Sequence, residues 1–103
     1  MLALATPPEC HATIGGYYAL HREIGPFHFR AVTDGDFAYT VWWGTHSGGE
    51  GIFRHRSGRW CAIVSGGGAL GVDGMVEYGV PRATAQRLSA KMKRERRGIG
   101  GHS

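Results

Sequence analysis

Ile52-Phe53-Arg54-His55-Arg56-Ser57-Gly58-Arg59-Trp60-Cys61-Ala62-Ile63-Val64-Ser65 is the stretch that decides the fold. Two runs rich in strand-favouring side chains flank Ser57-Gly58, a dipeptide suited to closing a two-residue hairpin. Such a loop sets the register: Arg56 opposite Arg59, His55 opposite Trp60, Arg54 opposite Cys61 and Phe53 opposite Ala62. Alternation then gives Phe53, Trp60, Ala62 and Val64 one face, expected to be the core. Ile52, Arg54, Arg56, Arg59, Cys61 and Ile63 take the other. Cys61 thus falls on the more polar face, where an N-terminal segment bearing Cys10 is expected to cross and cover it.

Upstream, Phe27-His28-Phe29-Arg30-Ala31-Val32 alternates apolar and polar side chains as a half-buried strand does. Asp34-Gly35 is a hairpin signal. Phe37 to Gly44 follows, with aromatic and β-branched residues that favour a strand, and 47–51 reads as a flexible Gly-rich loop. Ile14 to Ile24 is expected to be extended, interrupted at Gly15-Gly16, with a turn at Gly25-Pro26. Downstream of Gly66-Gly67-Gly68 the period changes. Val72 to Tyr78 predicts a short helix, with Asp73 near its positively polarised start and Gly79 as its stop. Pro81 opens a second helix, on which Ala85, Leu88 and Met92 form one apolar stripe. The expected architecture is α+β: an antiparallel meander of four to five strands, with the short helix and the C-terminal helix packed on one face. Residues 10–92 form the single domain, and 93–103 read as a basic, Gly-rich flexible tail.

A chain of 103 residues is enough for one small domain. Eighteen of those residues are Gly, more than twice the usual share of about 7%, which favours tight turns over long helices. No run of 18 apolar residues exists to span a bilayer. The formal charge of +4 hides a division. Residues 1–81 carry five basic groups against seven acids, whereas residues 82–103 carry seven basic groups against Glu95 alone. Lys91, Lys93, Arg94, Arg96 and Arg97 therefore form a candidate contact with an anionic surface, nucleic acid being the less favoured partner. The competing reading is a solvated helix end whose cations suit the helix dipole.

Two cysteines, Cys10 and Cys61, stand 51 positions apart with no C-x-x-C pair, which excludes a zinc ribbon or a thioredoxin-type motif. An even count in a small domain suits one disulfide, and with it a periplasmic or extracellular location. Two buried thiols in a cytosolic protein are the competing reading. Met1-Leu2-Ala3-Leu4-Ala5 places Ala3 and Ala5 as in a signal-peptidase site, so 1–5 read either as a signal-peptide remnant or as an ordinary frayed terminus.

Trp60, Gly66-Gly67-Gly68-Ala69-Leu70, and Gly79-Val80-Pro81 with Ala85 and Leu88 resemble the C-terminal half of short exported proteins of unknown function from cyanobacteria. The likeness covers roughly residues 37–90. It implies export and a meander that ends in a Trp-containing strand, a Gly-rich turn and a terminal helix. It implies no reaction, and the basic extension after Leu88 lies outside it.

No catalytic constellation stands out. The run Ser65 to Gly71 lacks the Lys and the spacing of a phosphate loop, and reads as a tight strand-to-helix crossover. Six histidines (His11, His21, His28, His46, His55 and His102) show no metal-ligand spacing. The expectation is therefore no cofactor, no metal and no catalytic residue. A metal-dependent or hydrolytic enzyme built around His55 ranks third among the functional readings. Trp42 and Trp43 are adjacent in a strand and must point to opposite faces. With Arg54, Arg56 and Arg59 they make a candidate patch for a protein partner or the subunits of a larger assembly. The leading expectation is a small exported, disulfide-stapled interaction or structural module. An electrostatic binder acting through the C-terminal segment is the alternative.

Overall fold

Ile52 and Phe53 are neighbours in one strand, and both are fully buried. Successive strand side chains point to opposite faces, so both faces of this sheet must be covered. The computed structural model describes residues 9–21 and 27–100, with side chains through Glu95, and shows how. Its elements are β1 (Cys10–His11), α1 (Ile14–His21), β2 (Phe27–Asp34), β3 (Phe37–Gly44), β4 (Gly48–Arg56), β5 (Arg59–Gly66), α2 (Gly71–Glu77) and α3 (Arg82–Gly100). The strands form one antiparallel sheet in the order β1-β5-β4-β3-β2, an α+β fold.

The hairpin register expected from Ser57-Gly58 is observed, from Arg56↔Arg59 to Phe53↔Ala62. Both turn residues have positive φ (51° and 76°), as a type I′ turn requires. Beyond Ala62 the register shifts. Ile52 pairs with Val64, and the ladder is irregular between Ile52 and Phe53. This β-bulge breaks strict alternation. Val64 therefore lies with Ile52 and not, as alternation implied, with Phe53.

One face packs Val32, Phe37, Tyr39 and Ile52 beneath Met75, Val80, Ala85, Leu88 and Met92 of the α2–α3 segment. The expected stripe of α3 is thus buried. The helix does not end with the stripe. It continues to Gly100 through the stretch expected to be a flexible tail, and residues 101–103 lie outside the described residues. Ion pairs from Arg82 to Asp73 (3.1 Å) and from Arg87 to Asp34 accompany this docking. The Lys91 ammonium donates to the Thr33 carbonyl (2.6 Å).

The other face corrects the expectation that Ile14 to Ile24 is extended. Residues 14–21 are helical, and 22–26, with the expected Gly25-Pro26 turn, lie outside the described residues. Two causes outweigh the paired glycines, one local and one tertiary. The Gly16 N–H donates to Thr13 Oγ1 (2.9 Å), a side-chain N-cap. Ile14, Tyr17 and Tyr18 fall at i, i+3 and i+4 and bury one stripe against Ala38 and Phe53. Helices therefore cover both faces of the sheet, not one.

Cys10 and Cys61 form the disulfide. They are directly opposed across the β1–β5 ladder, so Cys61 is covered by an in-plane edge strand and not by a segment crossing its face. Beside the disulfide the Ala62 N–H donates to the Glu9 carbonyl (2.8 Å), which extends the two-residue pairing of β1 by one backbone bond. Replacing both cysteines (Cys10→Ser with Cys61→Ala) is expected to cost about 2–4 kcal/mol of folding stability, measured by urea unfolding of the oxidised parent and the variant.

Candidate functional site

Helix α1 brings Tyr17 and Tyr18 onto the sheet as an aromatic layer. Tyr18 stacks on Phe29 (centroids 4.9 Å apart), and Tyr17 meets Phe53 edge-on (5.0 Å). Phe27 lies against Trp42 in near-parallel planes (5.9 Å). Beneath this layer the Tyr18 hydroxyl shares a hydrogen bond with Thr40 Oγ1 (2.8 Å) and a longer one with Ser65 Oγ (3.4 Å). Thr40, fully buried, also donates to the Gly51 carbonyl (3.3 Å). Gly51 is required there. A Cβ would stand 2.9 Å from Thr40 Oγ1 and 3.0 Å from the Val64 carbonyl, too close for any larger residue without a shift. Tyr17, Tyr18, His21, Phe27, Trp42 and Ser65 together line a cavity of about 180 Å³.

At the edge of this layer the Glu9 carboxylate ties β1 to α1. One oxygen, Oε2, lies 2.7 Å from Nε2 of both His11 and His21. Hydrogen bonds from His11 and His21, in that order, hold the Glu9 carboxyl below its usual range. His21 in turn stacks on Tyr17 (4.2 Å). Among the described residues no three His, Cys, Asp or Glu side chains are grouped to hold a metal. The point on which the two imidazoles converge is occupied by the carboxylate itself.

Trp42 and Trp43 do point to opposite faces. Trp42 packs into the α1 layer, while Trp43 is 37% exposed on the α2–α3 face and stacks on His28 (5.6 Å). The expected union of these tryptophans with three arginines does not form. Trp43 pairs with Gly48 at one end of β4, and Arg54 pairs with Phe37 six residues further along that strand, roughly 20 Å away. There Arg54 lies over the Phe37 ring (5.4 Å), and Arg56 and Arg59 face each other beside the hairpin turn. The basic C-terminal set divides as well. Lys91 is engaged with Thr33, Lys93 and Arg94 are exposed, and the side chains of Arg96 and Arg97 lie outside the described ones. His55 packs against Trp60 (4.8 Å), as the register implied.

Two groups carry no recognisable signal in the sequence. Glu9 and His21 are 12 positions apart and meet only because α1 is helical. Glu50, expected in a loop, is in β4, where its Oε1 accepts from the Leu70 N–H and the Tyr39 hydroxyl (2.7 Å each). It thereby ties the Gly-rich crossover to the sheet. No family model, no curated protein and no solved structure matches the chain.

Burial pushes the Tyr18 phenol above its ordinary value near 10, against the opposing pull of its hydrogen bonds to Ser65 and Thr40. A group raised in this way stabilises the fold fully below its unfolded pKa, and the contribution is lost as pH rises through the higher folded value. Stability is therefore expected to decline above about pH 10. In a urea series from neutral to alkaline pH, Tyr18→Phe should cost about 1 kcal/mol at neutrality and flatten that decline.

Proposed function

We propose that this chain is a small exported binding module without a catalytic role, a subunit of a surface or membrane-associated assembly that docks a protein partner by strand addition along β2. The carrying observation is the outer edge of β2, eight residues long, against which no strand pairs among the described residues. The two-residue turn after Asp34 points the backbone groups of Asp34, Val32, Arg30 and His28 inward to β3. Those of Thr33, Ala31, Phe29 and Phe27 point outward, which agrees with Thr33 giving its carbonyl to Lys91. Apart from the Thr33 carbonyl, which Lys91 occupies, these outward groups have no strand partner among the described residues and are a template for an extended peptide. The exposed Trp43–His28 stack lies at the far end of the same strand and supplies an aromatic anchor. The disulfide supports an oxidising compartment outside the cytoplasm.

Binding to anionic surfaces through α3 is the second reading, favoured by the exposed Lys93 and Arg94. It is the weaker one, because Lys91 is held by the sheet edge. Ala31→Pro removes an outward N–H without breaking the β2–β3 ladder, and Trp43→Ala removes the anchor. In quantitative cross-linking of the full chain in its native envelope, each variant is expected to lower partner recovery at least tenfold. Their melting temperatures should stay near that of the parent. Recovery unchanged in both variants but abolished by Lys93→Glu with Arg94→Glu would replace the first reading with the second.

A further inference from the structure

One flank of α3 runs beside the edge of β2. Its Arg87 meets Asp34, its Lys91 donates to the Thr33 carbonyl (2.6 Å), and its Glu95 approaches Arg30 (3.9 Å), so the helix passes along the strand from Asp34 toward Arg30. Arg94 is exposed and, three residues beyond Lys91, falls on the same flank. We propose that the strand accepted by β2 is acidic on this side, with one carboxylate opposite Arg30 and another opposite Val32, beside Lys91. The inference rests on strand addition at β2 and names the chemistry of the added strand.

Register is the first argument. A strand bonded to the outward groups of Phe27, Phe29, Ala31 and Thr33 places its residues opposite His28, Arg30 and Val32 on the α3 side. Charge is the second. On that side Arg30, Arg87, Lys91 and Arg94 stand against Asp34 and Glu95. The Lys, Arg, Asp and Glu side chains outside the described ones are Arg22, Glu23, Arg96 and Arg97, basic in sum, so they leave the sign unchanged. Lys91 supplies the third argument. Its ammonium sits on the Thr33 carbonyl, the acceptor that an added strand's N–H would also use. A carboxylate on that strand gives the ammonium a stronger, charge-assisted partner in exchange. The same charges disfavour a second copy of this chain as the occupant. Antiparallel pairing of β2 with its own copy would set the two α3 flanks side by side, cation against cation.

The probes are blocked peptides of sequence Thr-Glu-Val-Glu-Val-Glu-Thr and its counterparts with Gln or Lys in place of every Glu. Each is titrated at low ionic strength into the oxidised full chain, labelled with ¹⁵N, and the backbone N–H resonances of Phe29 and Ala31 are followed. The Glu peptide is expected to move both resonances and to bind about tenfold more tightly than the Gln peptide, with the Lys peptide weakest. The preference should shrink in about 1 M salt, where the screening length falls to about 3 Å. Arg30→Gln with Arg94→Gln, both at exposed positions, should remove most of it. The ranking of the three peptides on the parent reads the same preference without that variant. Equal binding of the Glu and Gln peptides at those resonances overturns the acidic preference and leaves strand addition standing. Movement of α3 resonances alone, with Phe29 and Ala31 unmoved, overturns it in favour of a bare charge contact on the helix. If no peptide moves the two resonances, strand addition at β2 is overturned and this inference with it.

Discussion

Burial of the middle of β4 on both sides is the constraint from which the rest of the fold follows. Ile52 and Phe53 are consecutive, fully buried and directed to opposite faces, so a bare sheet surface on either side would expose a large apolar side chain to water. In a chain of this length, two covering layers must come from the segments before and after the meander. The eight residues of α1 supply one, and the α2–α3 segment supplies the other. The short N-terminal layer is the weaker of the two, and the disulfide and the Glu9 hydrogen bonds act on it. They fix β1 beside β5 and the end of α1 beside β1, so a helix of two turns is held at both ends.

The two layers divide the chemistry of the molecule. On the α2–α3 side, Met75, Val80, Ala85, Leu88 and Met92 close over Phe37, Tyr39 and the aliphatic side chains of the sheet, with surface ion pairs that contribute little individually. The α1 side is aromatic, with a buried chain of hydroxyls in which Ser65, Tyr18 and Thr40 lead to the Gly51 carbonyl. Polar groups at such depth are tolerated because they partner one another. Trp42 Nε1, buried without a hydrogen-bond partner among the described residues, departs from that pattern.

Local signals carried most of the sheet. The Ser57-Gly58 turn and the alternation around it fixed four cross-strand pairs and the placement of Cys61 opposite Arg54. Two adjacent tryptophans had to part company, and they do. What could not be read was whatever depends on distant segments. Gly15-Gly16 argues against a helix on propensity, and the packing of Ile14, Tyr17 and Tyr18 against Phe53 and Ala38, together with the Thr13 cap, reverses that. The separation of Trp43 from Arg54 follows from their positions along paired strands, which composition does not reveal. Glu9 and His21 carry no motif, since their meeting is made by tertiary structure alone.

The bulge in the β4–β5 ladder has a consequence for how the sheet tolerates change in length. Ala62 faces Phe53 and Val64 faces Ile52, so Ile63 is a supernumerary residue between two consecutive rungs. Excising it would leave Val64 opposite Ile52 and Ser65 beneath Tyr18, with a plain ladder where an irregular one now stands. The same excision at Thr40, in a strand paired without interruption on both sides, would turn the side chains beyond it inside out. Trp42 and Trp43 would then trade faces. One position of this sheet is therefore spare, and its neighbours two strands away are not.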